Sequence, residues 1–189
     1  NAVVVGAADT ANISILNDAS ATVAIGDTAD EFETINIEVG TGKNTITDIN
    51  DGAGAALGET SKIVISGSGQ LTMGETVMKD ASEIDGSAAT GKLLITTDAT
   101  VDKLTGGSAD DTFTLTVADF GNGNAAKTSD GGAGNDPISV AADVAATTFD
   151  AASGGTHTIK AETLDADITM AADGAGTGTA ATRSVDVAG

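Results

Sequence analysis

The sequence predicts an all-β chain, a parallel β-solenoid or β-roll with irregular rungs and inserted loops. Three observations point there: short runs alternate polar and apolar residues, the turns between them are rich in Gly and Asp, and the side chains available for a core are small. Period-two alternation puts one apolar row on one face of a strand. A rung with a single inward row cannot bury that row alone, so neighbouring rungs must stack.

The alternating runs follow in chain order. Thr34–Glu38, Asn44–Ile49, Ser61–Ser66 and Gln70–Met73 come first. Lys92–Thr96, Thr112–Val117, Pro137–Val140, His157–Lys160 and Asp167–Met170 complete the series. Their Thr, Ile and Val content suits strands. Helix is not required; the Ala- and Glu-bearing segments 76–88, 117–120 and 141–147 could hold at most a short turn, because Gly and Asp interrupt most of such stretches.

The core must be narrow. The 40% hydrophobic fraction rests heavily on Ala, Trp and Tyr are absent, and Phe occurs only at 32, 113, 120 and 149. Ala buries little area, so stacked rows of Val, Ile and Leu are easier to build than a thick two-layer sandwich. Cys is absent too, which leaves metal as the remaining staple for a thin extracellular fold.

The formal charge is −20, from 28 acidic and 8 basic residues. Self-repulsion of this size destabilises a compact state unless cations neutralise it. Nucleic acid is excluded as a partner, because phosphate binding needs basic clusters. No leader and no long apolar run is visible, so neither a signal peptide nor membrane insertion is expected, and the chain reads as a piece of something larger. Asp outnumbers Glu by 21 to 7, a bias towards turns and short-armed ligation rather than a merely solvated surface.

Two turns carry the sharpest chemistry. Gly131-Gly132-Ala133-Gly134-Asn135-Asp136-Pro137-Ile138-Ser139 fits the nonapeptide G-G-x-G-x-D-x-U-x. Its first six positions are expected to form a turn whose glycines leave carbonyl oxygens free to face a hard cation, with Asp136 at its end and Ile138 pointing inward. The second copy, Gly106-Gly107-Ser108-Ala109-Asp110-Asp111-Thr112-Phe113-Thr114, has Ala109 where the pattern has Gly, and Ala109 fits only if its φ is negative. Asp111 and Asp136 are 25 residues apart (136 − 111). That is seven more than two nonapeptides, an excess that a loop through residues 121–124 could absorb, so the turns can lie one above the other.

These nonapeptides resemble the repeats-in-toxin motifs of secreted bacterial proteins. The longer phrase from Glu83-Ile84-Asp85-Gly86-Ser87 to Leu104-Thr105-Gly106-Gly107 resembles the rung pattern of calcium-dependent bacterial surface-layer (S-layer) proteins exported by type I secretion. The resemblance implies a β-solenoid that binds Ca2+, assembles with copies of itself into a lattice on the bacterial cell surface, and in some members reaches cell-surface polysaccharide through regions outside this piece. It implies Asp111 and Asp136 as carboxylate ligands, with Gly106, Gly107, Ala109, Gly131, Gly132 and Gly134 in the turns that supply carbonyls. Asp85 and Asp150 are further candidates, each following an apolar residue and preceding small ones. Residues 1–60 are then N-terminal β-rungs or part of a preceding β domain, and 61–189 a calcium-binding solenoid with a glycine-rich tail.

Other features carry less. Asp27, Asp30, Asp48 and Asp51 sit in oxygen-rich turns that read as ligands or as solvated turns. His157 reads as a strand surface residue rather than a base. No zinc-protease motif and no Cys nucleophile is present, and paired acids without Trp or Tyr do not make a sugar cleft, so no enzyme is expected. The expected function is a structural, calcium-binding subunit of an extracellular surface layer. The alternative is a calcium-folded β-roll module of a type I secreted adhesin, toxin or protease.

Overall fold

A computed structural model of the chain describes residues 10–25, 32–50, 62–74, 81–97, 101–116, 128–141, 147–150, 155–161, 168–170 and 182–187. Every regular element among them is a strand. The strands alternate between two parallel eight-stranded sheets, the arrangement of a β-solenoid. The first sheet contains β1 (Thr10–Ile15), β3 (Thr34–Val39), β5 (Lys62–Gly67), β7 (Glu83–Ala89), β9 (Lys103–Thr105), β11 (Thr128–Asp130), β13 (Thr147–Asp150) and β15 (Ile168–Met170). The second contains β2 (Ser20–Ala24), β4 (Lys43–Asn50), β6 (Gln70–Met73), β8 (Leu93–Thr96), β10 (Thr112–Thr116), β12 (Gly134–Ala141), β14 (Gly155–Ala161) and β16 (Thr182–Val187). Each coil adds one strand to each sheet.

The apolar rows foreseen from the alternation line the interior. In the first sheet Ile35, Ile63, Ile84 and Leu104 share one register level. In the second, Ile46, Met73, Ile95, Phe113 and Ile138 share another. All of these side chains are buried. The level of Leu104 continues to Ser129, whose hydroxyl is buried without a hydrogen-bond partner among the described residues. A buried, unsatisfied hydroxyl costs about 1–3 kcal/mol. Ser129→Ala is therefore expected to raise stability by about 1 kcal/mol, read as a higher midpoint in urea with an unchanged slope.

Coil lengths vary from 18 residues (Leu94 to Thr112) to 28 (Thr34 to Lys62), so the rungs are irregular as the sequence predicts. Most strand pairs keep one register throughout, with shifts between Ala21 and Thr22 in the β2–β4 pair and between Val64 and Ser66 in the β5–β7 pair. β3 pairs with β5 over six residues and β4 with β6 over four, so each sheet continues from the earlier coils to the later ones. The turns that lead into the second sheet also stack. Gly40 N donates to Ile15 O, Ser68 N to Val39 O, Thr90 N to Gly67 O, Ser108 N to Ala89 O, and Ala133 N to Gly107 O.

Part of segment 76–88 departs from the helical-turn expectation: residues 83–89 form β7. Ala and Gly favour no strand by propensity. Here Ile84 aligns with Ile63 and Leu104, and burial of that row decides the outcome. The short turns considered at 117–120 lie outside the described residues, as does most of 141–147. On the outer face of the first sheet Lys62 bridges Glu83 at 3.3 Å and Asp85 at 2.9 Å, and Lys103 reaches Glu83 at 3.0 Å.

Candidate functional site: a buried carboxylate pair

The two nonapeptide turns lie one above the other. Phe113 aligns with Ile138, so Asp111 and Asp136, each two residues earlier, occupy the same level on adjacent coils. The turn backbones touch: Gly106 faces the Gly131 carbonyl, and Gly132 faces the Gly107 carbonyl. Gly132 has a φ of 82°, a left-handed conformation in which a Cβ would also run into the coil beneath. Gly132→Ala should cost about 2–3 kcal/mol through combined strain and collision. Chemical unfolding in chelator measures that loss without any contribution from metal.

Gly134 has a φ of 124°, whereas Ala109, its counterpart below, is not in the left-handed region. Ala109 is therefore unstrained, as its side chain requires, and the two turns differ at this point. They differ in their ends as well. Asp111 precedes β10, but β12 already starts at Gly134, so Asp136 lies inside a strand rather than closing a turn. Pro137 occupies the middle of β12, with strands on both sides. It has no N–H, and the backbone pairing of β12 with β10 begins after it, at Ile138. Below it the coils are joined by a side chain instead: Asp111 N donates to Asp136 Oδ1 at 2.7 Å.

Both carboxylates are fully buried. Asp111 Oδ1 accepts Leu93 N at 2.8 Å and its Oδ2 accepts Gly107 N at 2.7 Å. Two more acids sit on the same turns. Asp110 Oδ1 accepts Asn135 N, and Asp130 Oδ1 accepts Gly132 N, both at 2.9 Å. Burial pushes the Asp111 carboxyl above its ordinary range against the amides that hold it ionised. Burial, with the charges of Asp111, Asp110 and Asp130 added, pushes Asp136 up to about 7 despite its amide bond.

Asn44 occupies the equivalent corner nearer the N-terminus and is also fully buried. Its Oδ1 accepts Ala19 N at 3.1 Å, the same bond to the preceding coil that Asp111 and Asp136 make. Its Nδ2 donates to the carbonyls of Gly40, Thr41 and Gln70. A neutral amide thus closes this corner with every polar group satisfied. Sequence reading did not single out Asn44; its place two residues before Ile46, like Asp111 before Phe113, is the signal that could have found it.

The level continues upward from Asp136 to His157 on β14 and Arg183 on β16, the only histidine and the only arginine of the chain. The expectation of a surface position for His157 falls on a side chain outside the described residues.

The remaining candidates are dispersed. Asp85 is held by Lys62 and by the Ser87 hydroxyl and amide, which bring its pKa down to about 2; it lies in the outer charge ladder of the first sheet, away from the stacked turns. Asp150 aligns with Asp130 on β13. Asp48 accepts Asn50 Nδ2 at 2.7 Å. Asp27, Asp30 and Asp51 lie outside the described residues, as do the loop at 121–124 and the glycine-rich tail.

The site gathers carboxylate and carbonyl oxygens, a hard donor set of the kind calcium takes in place of softer metals. A carboxylate offers about four lone-pair positions, of which the Leu93 and Gly107 amides use two on Asp111. Fold and site together define a parallel β-solenoid with a buried acidic corner. No protein-family model matches the chain, and no curated protein or solved structure matches it.

Proposed function

We propose that this chain is a structural, calcium-stabilised solenoid segment of an extracellular bacterial surface-layer protein, without catalytic activity. One observation carries the calcium part: Asp stands at two successive levels where Asn does the same structural work. Asn44 bonds the preceding coil without burying a charge. Asp111 and Asp136 make the same bond and bury two charges next to one another. Two acids buried side by side are costly to ionise, and a cation received by the pair would offset that cost. Asp111 and Asp136 would be its carboxylate ligands, with carbonyls of the 106–109 and 131–134 turns completing the shell.

The ion would act on stability. Extracellular modules bind calcium with dissociation constants near 10⁻⁴ to 10⁻³ M. At about tenfold excess, each site adds roughly 1.4 kcal/mol. Thermal melts in calcium, in magnesium and in chelator test this: a melting temperature raised by calcium, and less by magnesium, is the expected result. Identical melts would reject it. Electron microscopy of the parent protein with calcium tests the lattice: ordered sheets favour a surface layer, and persistent monomers favour a module of a secreted adhesin, toxin or protease.

A further inference from the structure

Three buried columns can be followed from coil to coil among the described residues, and they lose their apolar character together. Between the coil of β5 and β6 and that of β7 and β8, the facing pairs are Ile63 with Ile84, Leu71 with Leu93, and Met73 with Ile95. One coil later they are Ile84 with Leu104, Leu93 with Asp111, and Ile95 with Phe113. At the next junction the coil of β9 and β10 meets that of β11 and β12. The pairs there are Leu104 with Ser129, Asp111 with Asp136, and Phe113 with Ile138. All of these side chains are buried, but of the last three pairs only Phe113 with Ile138 is apolar on both sides.

This junction is held at its corner instead. Gly106 N donates to Asp130 O at 2.7 Å, and Ala133 N to Gly107 O at 2.9 Å. Asn135 N donates to Asp110 Oδ1 at 2.9 Å, and Asp111 N to Asp136 Oδ1 at 2.7 Å. Two of these bonds therefore end on carboxylates. Elsewhere the junction is poorly joined: the Ser129 hydroxyl is buried without a partner among the described residues, and Pro137 has no amide to give.

We propose that the solenoid opens at this junction: the coils from β11 onward come away as a unit while the coils up to β10 stay folded. In a stacked array each coil touches only its neighbours, so the array parts where one interface is weakest. Cooperative units of a protein open separately when their free energies differ in this way. Apolar contact is the main favourable term between coils, and here two of the three columns lack it. The corner then acts as the clasp of the later coils. The calcium reading above enters only in what tightens it: a cation between Asp111 and Asp136 would hold the later coils down on a base that folds without it.

Hydrogen exchange of the full chain, read by mass spectrometry in chelator, tests the proposal. Amides of β11 and β12 are expected to exchange at least about tenfold faster than those of β3 to β8, because the first opening frees only the later coils. Ile37→Val loosens the base at a fully buried position. It is expected to speed exchange of β3 to β8 about fivefold and to leave β11 and β12 within about twofold of wild type, because the contact it weakens survives in the opened form. Ser129→Ala removes the unsatisfied hydroxyl and is expected to slow β11 and β12 about fivefold. Equal exchange of the two groups in wild type overturns the proposal, since the molecule then opens only as a whole. So does an Ile37→Val variant that speeds both groups alike, or a Ser129→Ala variant that leaves β11 and β12 unchanged. Added calcium is expected to slow β11 and β12. If it does not, while the contrast between the groups and both variant effects persist, the junction stands and the metal reading alone fails.

Discussion

Replacing Asp136 by Asn is expected to raise the stability of the calcium-free protein near pH 7 and to remove most of its response to calcium. Asn44 shows that an amide side chain closes this corner with its hydrogen bonds made. Asn at 136 keeps the acceptor for Asp111 N and deletes a buried charge. The sign in wild type follows from the raised pKa of about 7 against 3.8 when unfolded. Between those values the folded state holds a proton that the unfolded state has lost, so the contribution of this group to stability is greatest below about pH 4 and falls as pH rises towards 7. Each pKa unit corresponds to about 1.4 kcal/mol, so the slope is worth on the order of a few kcal/mol, shared with Asp111. The Asn variant should flatten that slope. Calcium should reverse it in wild type by binding the ionised form. Urea melts at pH 5 and pH 7.5, with and without calcium, read both effects. A variant less stable than wild type in chelator, or one still fully calcium-responsive, would refute the assignment.

The second large effect is expected at Phe113. It is the largest fully buried side chain among the described residues, set between Ile95 and Ile138 of the adjacent coils. Phe→Ala in a packed core costs about 3–5 kcal/mol. A thin interior of mostly Ile and Leu has little to collapse into the space. One calcium site at tenfold excess returns only about 1.4 kcal/mol, so the ion cannot compensate. Phe113→Ala should therefore lower the melting temperature sharply both in calcium and in chelator. A variant that calcium restores to wild-type stability would mean that the corner, not the apolar rows, dominates the fold.

Much of this architecture was legible in the sequence because the strands with Ile, Val or Leu at every second place announce themselves. β3, β4, β5, β6, β8 and β10 are of that kind. β9 (Lys103–Thr105) and β11 (Thr128–Asp130) are only three residues long and too short to show a period. β1 and β2 hold Asn, Ser and Ala among their apolar residues, and they become strands through pairing with β3 and β4. The stacking of the 106–114 and 131–139 turns was foreseen from their spacing. The inward aim of Asp111 and Asp136 was not, because a nonapeptide pattern fixes the turn but not whether its acid meets an ion or a backbone amide. Asn44 supplies that second use, and it becomes meaningful only when the coils are laid one on another.

In-register parallel pairing has a consequence for how such a molecule changes size. Each coil contributes its own pair of strands, and the next coil needs only a matching row to rest on. Excising residues 62–82 would remove β5 and β6 together and bring Glu83 over Thr34, with Ile84 over Ile35. The apolar rows would close again, and the molecule would be shorter by about 4.8 Å. Losing half a coil would instead carry every later strand to the opposite sheet. Length in this chain therefore behaves as a ruler with fixed graduations, where gain or loss of one whole graduation is tolerated and a fraction of one is not.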